Sequence, residues 1–259
     1  MKKILLSATA LVAIGIAAPA SAADLGRPYT KAAPMMAAMY DWSGFYVGLN
    51  GGGGWSHKCW DRTNDEGTLL VPALAEGCHD ATGGTFGGQI GYRWQSAAFV
   101  YGLEAQGNWA DFQGSNVSLV ETDPFLFRNH SKIDAFGLFT GQVGYAWNNV
   151  LLYVKGGAAV TNDKYTGLNN LTGIAFDSAS ETRWGGVIGV GLEYGFTPNW
   201  TFGVEYDHMF MGTRDISLLN TGTFGPVGTL SGIESIKQDV DLLTVRLNYR
   251  WGGPVVARY

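Results

Sequence analysis

The final strand-length stretch of the chain limits its fold more than any other part. From Leu243 to Trp251 the sequence LTVRLNYRW alternates without a break. Leu243, Val245, Leu247, Tyr249 and Trp251 share one phase, and Thr244, Arg246, Asn248 and Arg250 share the other. Successive side chains of a strand point to opposite faces, so this segment has one apolar surface and one charged surface. A soluble barrel would turn the apolar row inward and leave the polar row in water. Here the apolar row ends in two aromatics, which suits contact with lipid, and the arginine row then faces a narrow lumen. On that reading, an arginine at Val245 or Leu192 destabilises the fold more than one at Thr244.

Seven earlier segments repeat the pattern, so strands are expected near 42–55, 84–94, 99–112, 133–147, 150–162, 183–196, 200–213 and 237–251. The connections between them alternate in length. Long ones at 56–83, 113–132, 163–182 and 214–236 are separated by short ones at 95–98, 148–149 and 197–199. This is the rhythm of an outer-membrane barrel with short periplasmic turns and longer outside loops. The expected fold is therefore all-β, an eight-stranded antiparallel up-and-down transmembrane barrel over 42–251 with both termini periplasmic. Aromatics gather at the predicted strand ends. Trp94, Phe99, Tyr145, Trp147, Tyr194, Phe196 and Trp200 flank the short turns, and Trp42, Tyr249 and Trp251 mark the chain ends on that side. Phe86, Trp109, Trp184 and Tyr206 would form the opposite collar, as interfacial aromatics do.

The chain opens with Lys2 and Lys3, an apolar run over 4–18 and a small-residue site at Ala20, Ser21 and Ala22, the plan of a secretory signal peptide over 1–22. No later run has the ~18–20 apolar residues of a spanning helix. Cleavage after Ala22 would leave 15 basic against 22 acidic residues, so the net charge moves from -5 to -7 and nucleic acid is not an expected partner. Residues 23–41 read as a leader, with no sustained period. The 38 glycines among 259 residues are about twice the usual ~7% share, without a collagen period.

The run WSGFYVGLNGGGGW at 42–55 and the ending LNYRWGGPVVARY at 247–259 carry a resemblance. The chain resembles the small outer-membrane immunogenic, porin-like proteins of alphaproteobacteria, relatives of the opacity and OmpA-type barrels. The resemblance implies a non-enzymatic surface protein tied to envelope integrity and surface antigenicity. A narrow channel for small solutes and a loop-based adhesin or ligand-binding surface are the alternatives. It also implies outer-membrane lipid and lipopolysaccharide as surroundings and the barrel-assembly machinery as a partner. Either Trp251 or Tyr259 would serve as the C-terminal assembly signal, with 252–259 as an extension.

The inward phase carries Gln89, Arg93, Glu104, Gln106, Gln142, Lys155, Glu193, Glu205, Asp207, Arg246 and Arg250. An eight-stranded barrel is only wide enough for its own side chains, so these charges must pair. Arg93, Glu104, Lys155, Glu193, Glu205 and Arg246 are the expected lumen network, read as a rigid plug in preference to an ion path. Cys59 and Cys78 share the first long loop and are expected to form a disulfide in an oxidising compartment. A metal site using the nearby His57 and His79 is the competing reading, but the spacing lacks a CxxC pair. Glycines 51–54 lack the following Lys-Ser/Thr of a phosphate loop and are read as relieving crowding inside the barrel. His208 is placed near the outer headgroup boundary; no serine follows it two residues on, and no cofactor motif is present. The amino terminus Ala23-Asp24 is open to two readings. One is a plain leader. The other, prompted by the resemblance, is a tether through Ala23 to peptidoglycan, since 23–41 reaches about 60 Å fully extended at ~3.3 Å per residue.

Overall fold

The computed structural model describes residues 40–120 and 127–251. Eight antiparallel strands follow in chain order: β1 (Gly44–Asp65), β2 (Thr68–Ser96), β3 (Phe99–Val117), β4 (Phe127–Trp147), β5 (Val150–Asn169), β6 (Ala175–Gly195), β7 (Trp200–Asn220) and β8 (Leu230–Trp251). Each pairs with its sequence neighbours, and β1 pairs with β8 to close the barrel. The signal peptide 1–22, Ala23, the leader as far as residue 39 and the extension 252–259 lie outside the described residues.

At one end of the barrel the strand limits agree with the alternation. Phe99, Trp147, Val150, Trp200 and Trp251 all bound strands. Two of the turns there use a positive φ, at Ala97 (54°) and Asn148 (52°), as tight hairpins require. Asn tolerates that conformation well, whereas Ala is less suited to it.

The opposite end corrects the expectation of four long loops. Residues 56–83 are the continuation of β1 and β2, joined by a turn at Glu66 and Gly67 with φ of 46° and 92°. Most of 113–132, 163–182 and 214–236 is likewise strand. The strands are 19 to 29 residues long, whereas about 9–11 tilted residues cross a bilayer core. The wall therefore continues well past the apolar belt. Bulges hid this continuation. In β4 the register shifts between Ile133 and Ala135, and the inward set changes from Asn129, Ser131 and Ile133 to Phe136, Leu138 and Thr140. In β7 a shift between Phe210 and Gly212 (φ 68°) moves it from Met209 and Met211 to Ile216 and Leu218. One extra residue flips every later side chain to the other face, so a strict period-2 reading stops there.

The outer surface is an apolar belt. Leu243, Val245, Leu247 and Trp251 are exposed, as are Leu192, Val190, Ile188, Phe202 and Val204 on neighbouring strands. Aromatic rings collar the end with the short turns. Phe99 and Tyr145 meet edge-on at 5.5 Å, Tyr145 lies 4.7 Å from Trp147, and Tyr249 lies 5.0 Å from both Trp200 and Trp251. Phe86, Trp109, Trp184 and Tyr206 are exposed at the other rim. Trp42 is the exception to the expected collar. It precedes β1 and so escapes the strand alternation, and it is only 1% exposed, folded into the mouth against Val100, Ala146, Leu151 and Tyr153. Its backbone N–H donates to Gln95 Oε1 (2.6 Å) and its Nε1 to the Asn148 carbonyl (3.0 Å).

Val245 is 50% exposed and Leu192 52%, both within the belt. Val245→Arg or Leu192→Arg is expected to destabilise the barrel by about 2–4 kcal/mol in lipid vesicles if the site is near the midplane. Ser180→Arg, outward on the extended wall, should change it by less than about 0.5 kcal/mol. Thr244, only 1% exposed, is wedged inside beside Arg246, so Arg there is no mild control. Urea unfolding midpoints in vesicles measure all three.

Candidate functional site

The candidate site is the interior of the barrel, which is filled in tiers. At the mouth with the short turns, Arg250 donates to the carbonyls of Ser43 (3.1 Å) and Pro198 (2.8 Å) beneath the Trp42 cluster. Above it, Arg93 on β2 reaches across to Glu193 on β6 in a two-pronged pair, Nη1–Oε1 3.0 Å and Nη2–Oε2 2.8 Å. Its guanidinium also lies 4.5 Å from the Tyr46 ring centre. Glu193 accepts further bonds from Thr201 and Asn248. Bidentate pairs of this kind combine strength with a fixed geometry.

The next tier is organised by Arg246 on β8, which bridges Glu104 on β3 and Glu205 on β7. Lys155 on β5 lies 2.7 Å from Glu205, 3.1 Å from Asp207 and 3.7 Å from Glu104. Two tyrosines donate into the cluster, Tyr46 to Glu104 (2.7 Å) and Tyr153 to Glu205 (2.5 Å). A chain of amides beside it runs Gln106, Asn108, Asn50, Gln89 and Asn248. All six residues singled out from the alternation are thus buried in one connected set; Gln89, Gln106, Gln142, Asp207 and Arg250 are buried as well. Across these tiers four cations (Arg93, Lys155, Arg246, Arg250) match four carboxylates (Glu104, Glu193, Glu205, Asp207).

An apolar septum follows, which the polar reading of the inward phase had missed. Phe112, Ile133, Phe136, Leu138, Val187, Met209, Met211, Val240 and Leu242 close the bore from five strands. Glycines 52 and 54 face this region. A Cβ at Gly54 would lie 2.8 Å from Phe112 Cζ, and one at Gly52 would lie 2.0 Å from the Leu243 carbonyl oxygen. Only glycine lets β1 lie so close to the β8 backbone at residue 52 and to the septum at residue 54.

Beyond the septum the extended wall encloses a second polar tier. Lys58 pairs with Asp163 at 2.9 Å, both side chains fully buried. Arg183 donates to Tyr165 OH (3.0 Å) and to the carbonyls of Gly212 (2.8 Å) and Ile236 (3.1 Å). Trp60, Tyr165, Ile216, Leu218 and Ile236 pack around them. Near the hairpin tips Arg62 reaches Glu76 (2.7 Å) and Glu234 (3.1 Å). Burial, reinforced by Glu76 and opposed by Arg62, pushes the Glu234 carboxyl up to about 8. Apart from Arg183 and Gly212, these residues lay in the stretches read as loops. In β1 and β5, however, the inward phase never breaks, so counting every second residue from Tyr46 to Lys58 and from Lys155 to Asp163 would have found the first pair.

Cys59 and Cys78 form a disulfide, placed as directly opposed residues of β1 and β2 and not within a loop. The bond lies on the outer surface. His57 points outward beside it, and His79 points into the barrel against Asn116 (2.7 Å) and Ser131 (3.0 Å). The two histidines are therefore on opposite faces of the wall and cannot share a metal. His208 faces outward at the upper rim, 2.7 Å from Asp241 Oδ1, which also accepts from Tyr206 OH (2.6 Å).

Residues 8–250 match the outer membrane protein beta-barrel domain family. The chain belongs to that family. The 22 kDa outer membrane protein of Rhizobium leguminosarum bv. viciae is 28% identical over 187 residues, covering 71% of this chain and 70% of that protein. Among solved structures it is similar to the outer membrane protein OprG of Pseudomonas aeruginosa (TM-score 0.48, 12% identity, 83% and 99% of the two chains). It is also similar to Ail, the attachment invasion locus protein of Yersinia pestis (TM-score 0.36, 14% identity, 81% and 99%). The outer membrane protease OmpT of Escherichia coli is a further match (TM-score 0.49, 12% identity, 80% and 97%). This outer membrane barrel thus sits in the lipid of that membrane, with its apolar belt facing the acyl chains.

Two outcomes test the interior. Arg93→Met leaves Glu193 buried without its countercharge and should cost about 3–5 kcal/mol, whereas adding Glu193→Met should recover most of that loss. A double-mutant cycle by urea unfolding in vesicles measures the coupling. Glu234 supplies a pH signature. Its folded pKa lies above the ordinary carboxylate value, so between about pH 4.5 and 8 the unfolded chain releases a proton that the folded one keeps. Stability should therefore fall as pH rises through that window and level off above it. Glu234→Gln should flatten the fall, read as the unfolding midpoint against pH.

Proposed function

We propose that this protein is a closed, non-conducting outer membrane barrel whose role is structural and surface-presenting, without enzymatic activity. The carrying observation is the septum of Phe112, Ile133, Phe136, Leu138 and Met209 stacked on the Arg246 network, which leaves side chains in contact across the bore. In this reading the ion pairs are a plug that fixes the barrel wall, and the channel alternative is set aside. Short turns belong on the periplasmic side of such barrels. Both termini are therefore periplasmic and the extended hairpins project from the cell. The aromatic collars hold the belt between lipopolysaccharide and phospholipid, and the barrel-assembly machinery inserts the chain. A periplasmic amino terminus also leaves Ala23 able to reach peptidoglycan.

A second reading, attachment through the tips, is favoured by the exposed Leu69, Val71, Leu119, Leu171, Ile174, Phe224 and Val227 at the hairpin end. Single exposed apolar residues are ordinary, but a crown of them suits contact with another surface. The closed-barrel reading is tested by planar-bilayer recording and vesicle swelling with the folded protein. No conductance steps and no swelling with small sugars are expected. Stable steps that survive Arg246→Lys but change their ion selectivity would overturn it. Leu69→Asp with Val71→Asp, scored by adherence of expressing cells, tests the second reading.

A further inference from the structure

The outward-facing disulfide has an unusual companion. His57 lies two residues before Cys59 on β1, so both project from the same face, and Cys78 stands directly opposite Cys59 on β2. Asp80 lies opposite His57, and its Oδ1 is 2.7 Å from His57 Nδ1. An ionised carboxylate can only accept, so in the neutral imidazole the proton sits on Nδ1 and Nε2 keeps its lone pair. That lone pair sits 3.5 Å from Cys59 Sγ. The ligand atoms of His57, Cys59 and Cys78 all lie within 4.8 Å of one another.

The imidazole–sulfur separation matches a particular kind of site. Tetrahedral zinc with bonds of about 2.3 Å to sulfur and 2.0–2.1 Å to nitrogen places an imidazole nitrogen and a thiolate about 3.5 Å apart. His57 Nε2 already has that spacing to Cys59. Two thiolates on such an ion sit about 3.7–3.8 Å apart, a spacing that the directly opposed Cys59 and Cys78 side chains reach by rotation once the bond is cut. The Asp80 carboxylate on Nδ1 completes the carboxylate–histidine–metal arrangement that orients a ligating imidazole.

We propose that Cys59, Cys78 and His57 form a redox-gated site for a borderline-to-soft cation, zinc above all, with Asp80 as the positioning residue and a water in the fourth place. The oxidised bond is the closed state. Two low-molecular-weight thiols open it. They surrender two electrons and two protons, leaving as their own disulfide, and the Cys59–Cys78 bond is reduced to two thiols. Binding of the dication then releases both thiol protons. The ladder needs no rearrangement, because Lys58 pairs with His79 and Trp60 with Gly77 on either side of the cysteines. Two thiolates and one imidazole select zinc, or cuprous copper, over magnesium and calcium. His79, turned into the barrel, takes no part.

The test uses the full-length protein folded in detergent, reduced with a phosphine and titrated with Co(II), with Zn(II) as competitor. The expected result is one Co(II) per chain, a thiolate-to-cobalt charge-transfer band and tetrahedral d–d absorption, both displaced by Zn(II). His57→Ala should weaken binding at least tenfold and Asp80→Asn by about 10–100-fold, whereas His79→Ala should leave it unchanged. A difference in SDS-gel migration between unheated and boiled samples verifies that each sample is still a barrel. Equal binding by the oxidised protein, a His57→Ala variant as tight as wild type, or no band after reduction would each overturn the site. Loss of the hairpin on reduction counts with the last of these, because the site requires the paired strands.

Discussion

Lipid offers no hydrogen bonds, so a strand wall within it must satisfy its own backbone, and the seam between β1 and β8 is what makes this wall complete. Their pairing runs from Phe45 opposite Trp251 up to Arg62 opposite Glu234 before its one register shift. Closing eight strands also sets the bore at about the width that side chains fill by themselves. Everything inside follows from that width. Arg93 on β2 and Glu193 on β6 are separated by 100 residues of chain yet meet at 2.8 Å, because walls that close on each other leave them nowhere else to go.

The two materials inside do different work. Burying ion pairs costs desolvation that their attraction only roughly offsets, so the Arg246 cluster is weak evidence of net stability. Its value lies in register. A one-residue slip of β7 or β8 would turn Glu205 or Arg246 out towards acyl chains, and the energy of that error is large. The septum offers little such discrimination, because Leu138 or Val240 would be tolerated on either face. What it provides is dryness, since a bore lined by Phe112, Ile133 and Phe136 gives water no partner.

The barrel, its strand order and its lower boundary were legible because alternation, short turns and aromatic strand ends all rest on local rules. The lumen charges were legible for the same reason: Arg93, Glu104, Lys155, Glu193, Glu205 and Arg246 lie on unbroken stretches of period two. Legibility ended at the bulges after Ile133 and Phe210, where the phase changes and no residue type announces it. Trp42 was misplaced because it precedes β1, where alternation has no authority. The septum was overlooked for another reason. Inward apolar residues between outward apolar ones look like a simple rise in hydropathy, and only the paired register separates the two sets.

With the hairpin end outside the cell, as proposed above, the continuation of the strands past the belt has a consequence for how the cell surface is recognised. A loop displays nearly all of its residues, whereas a wall displays every second one. Along β2 an immune receptor meets Cys78 and Asp80 on the outside, while His79 and Ala81 are turned inward and hidden. Epitopes on such a surface are therefore assembled from alternate residues of adjacent strands, such as His57 with Asp80. Linear peptides copied from the same segments present the wrong half of the chain as readily as the right one. The inward half, locked into pairs such as Lys58 with Asp163, can drift only by compensated exchange, whereas the outward half is free to vary residue by residue. Antigenic change on this protein would accordingly carry a period of two.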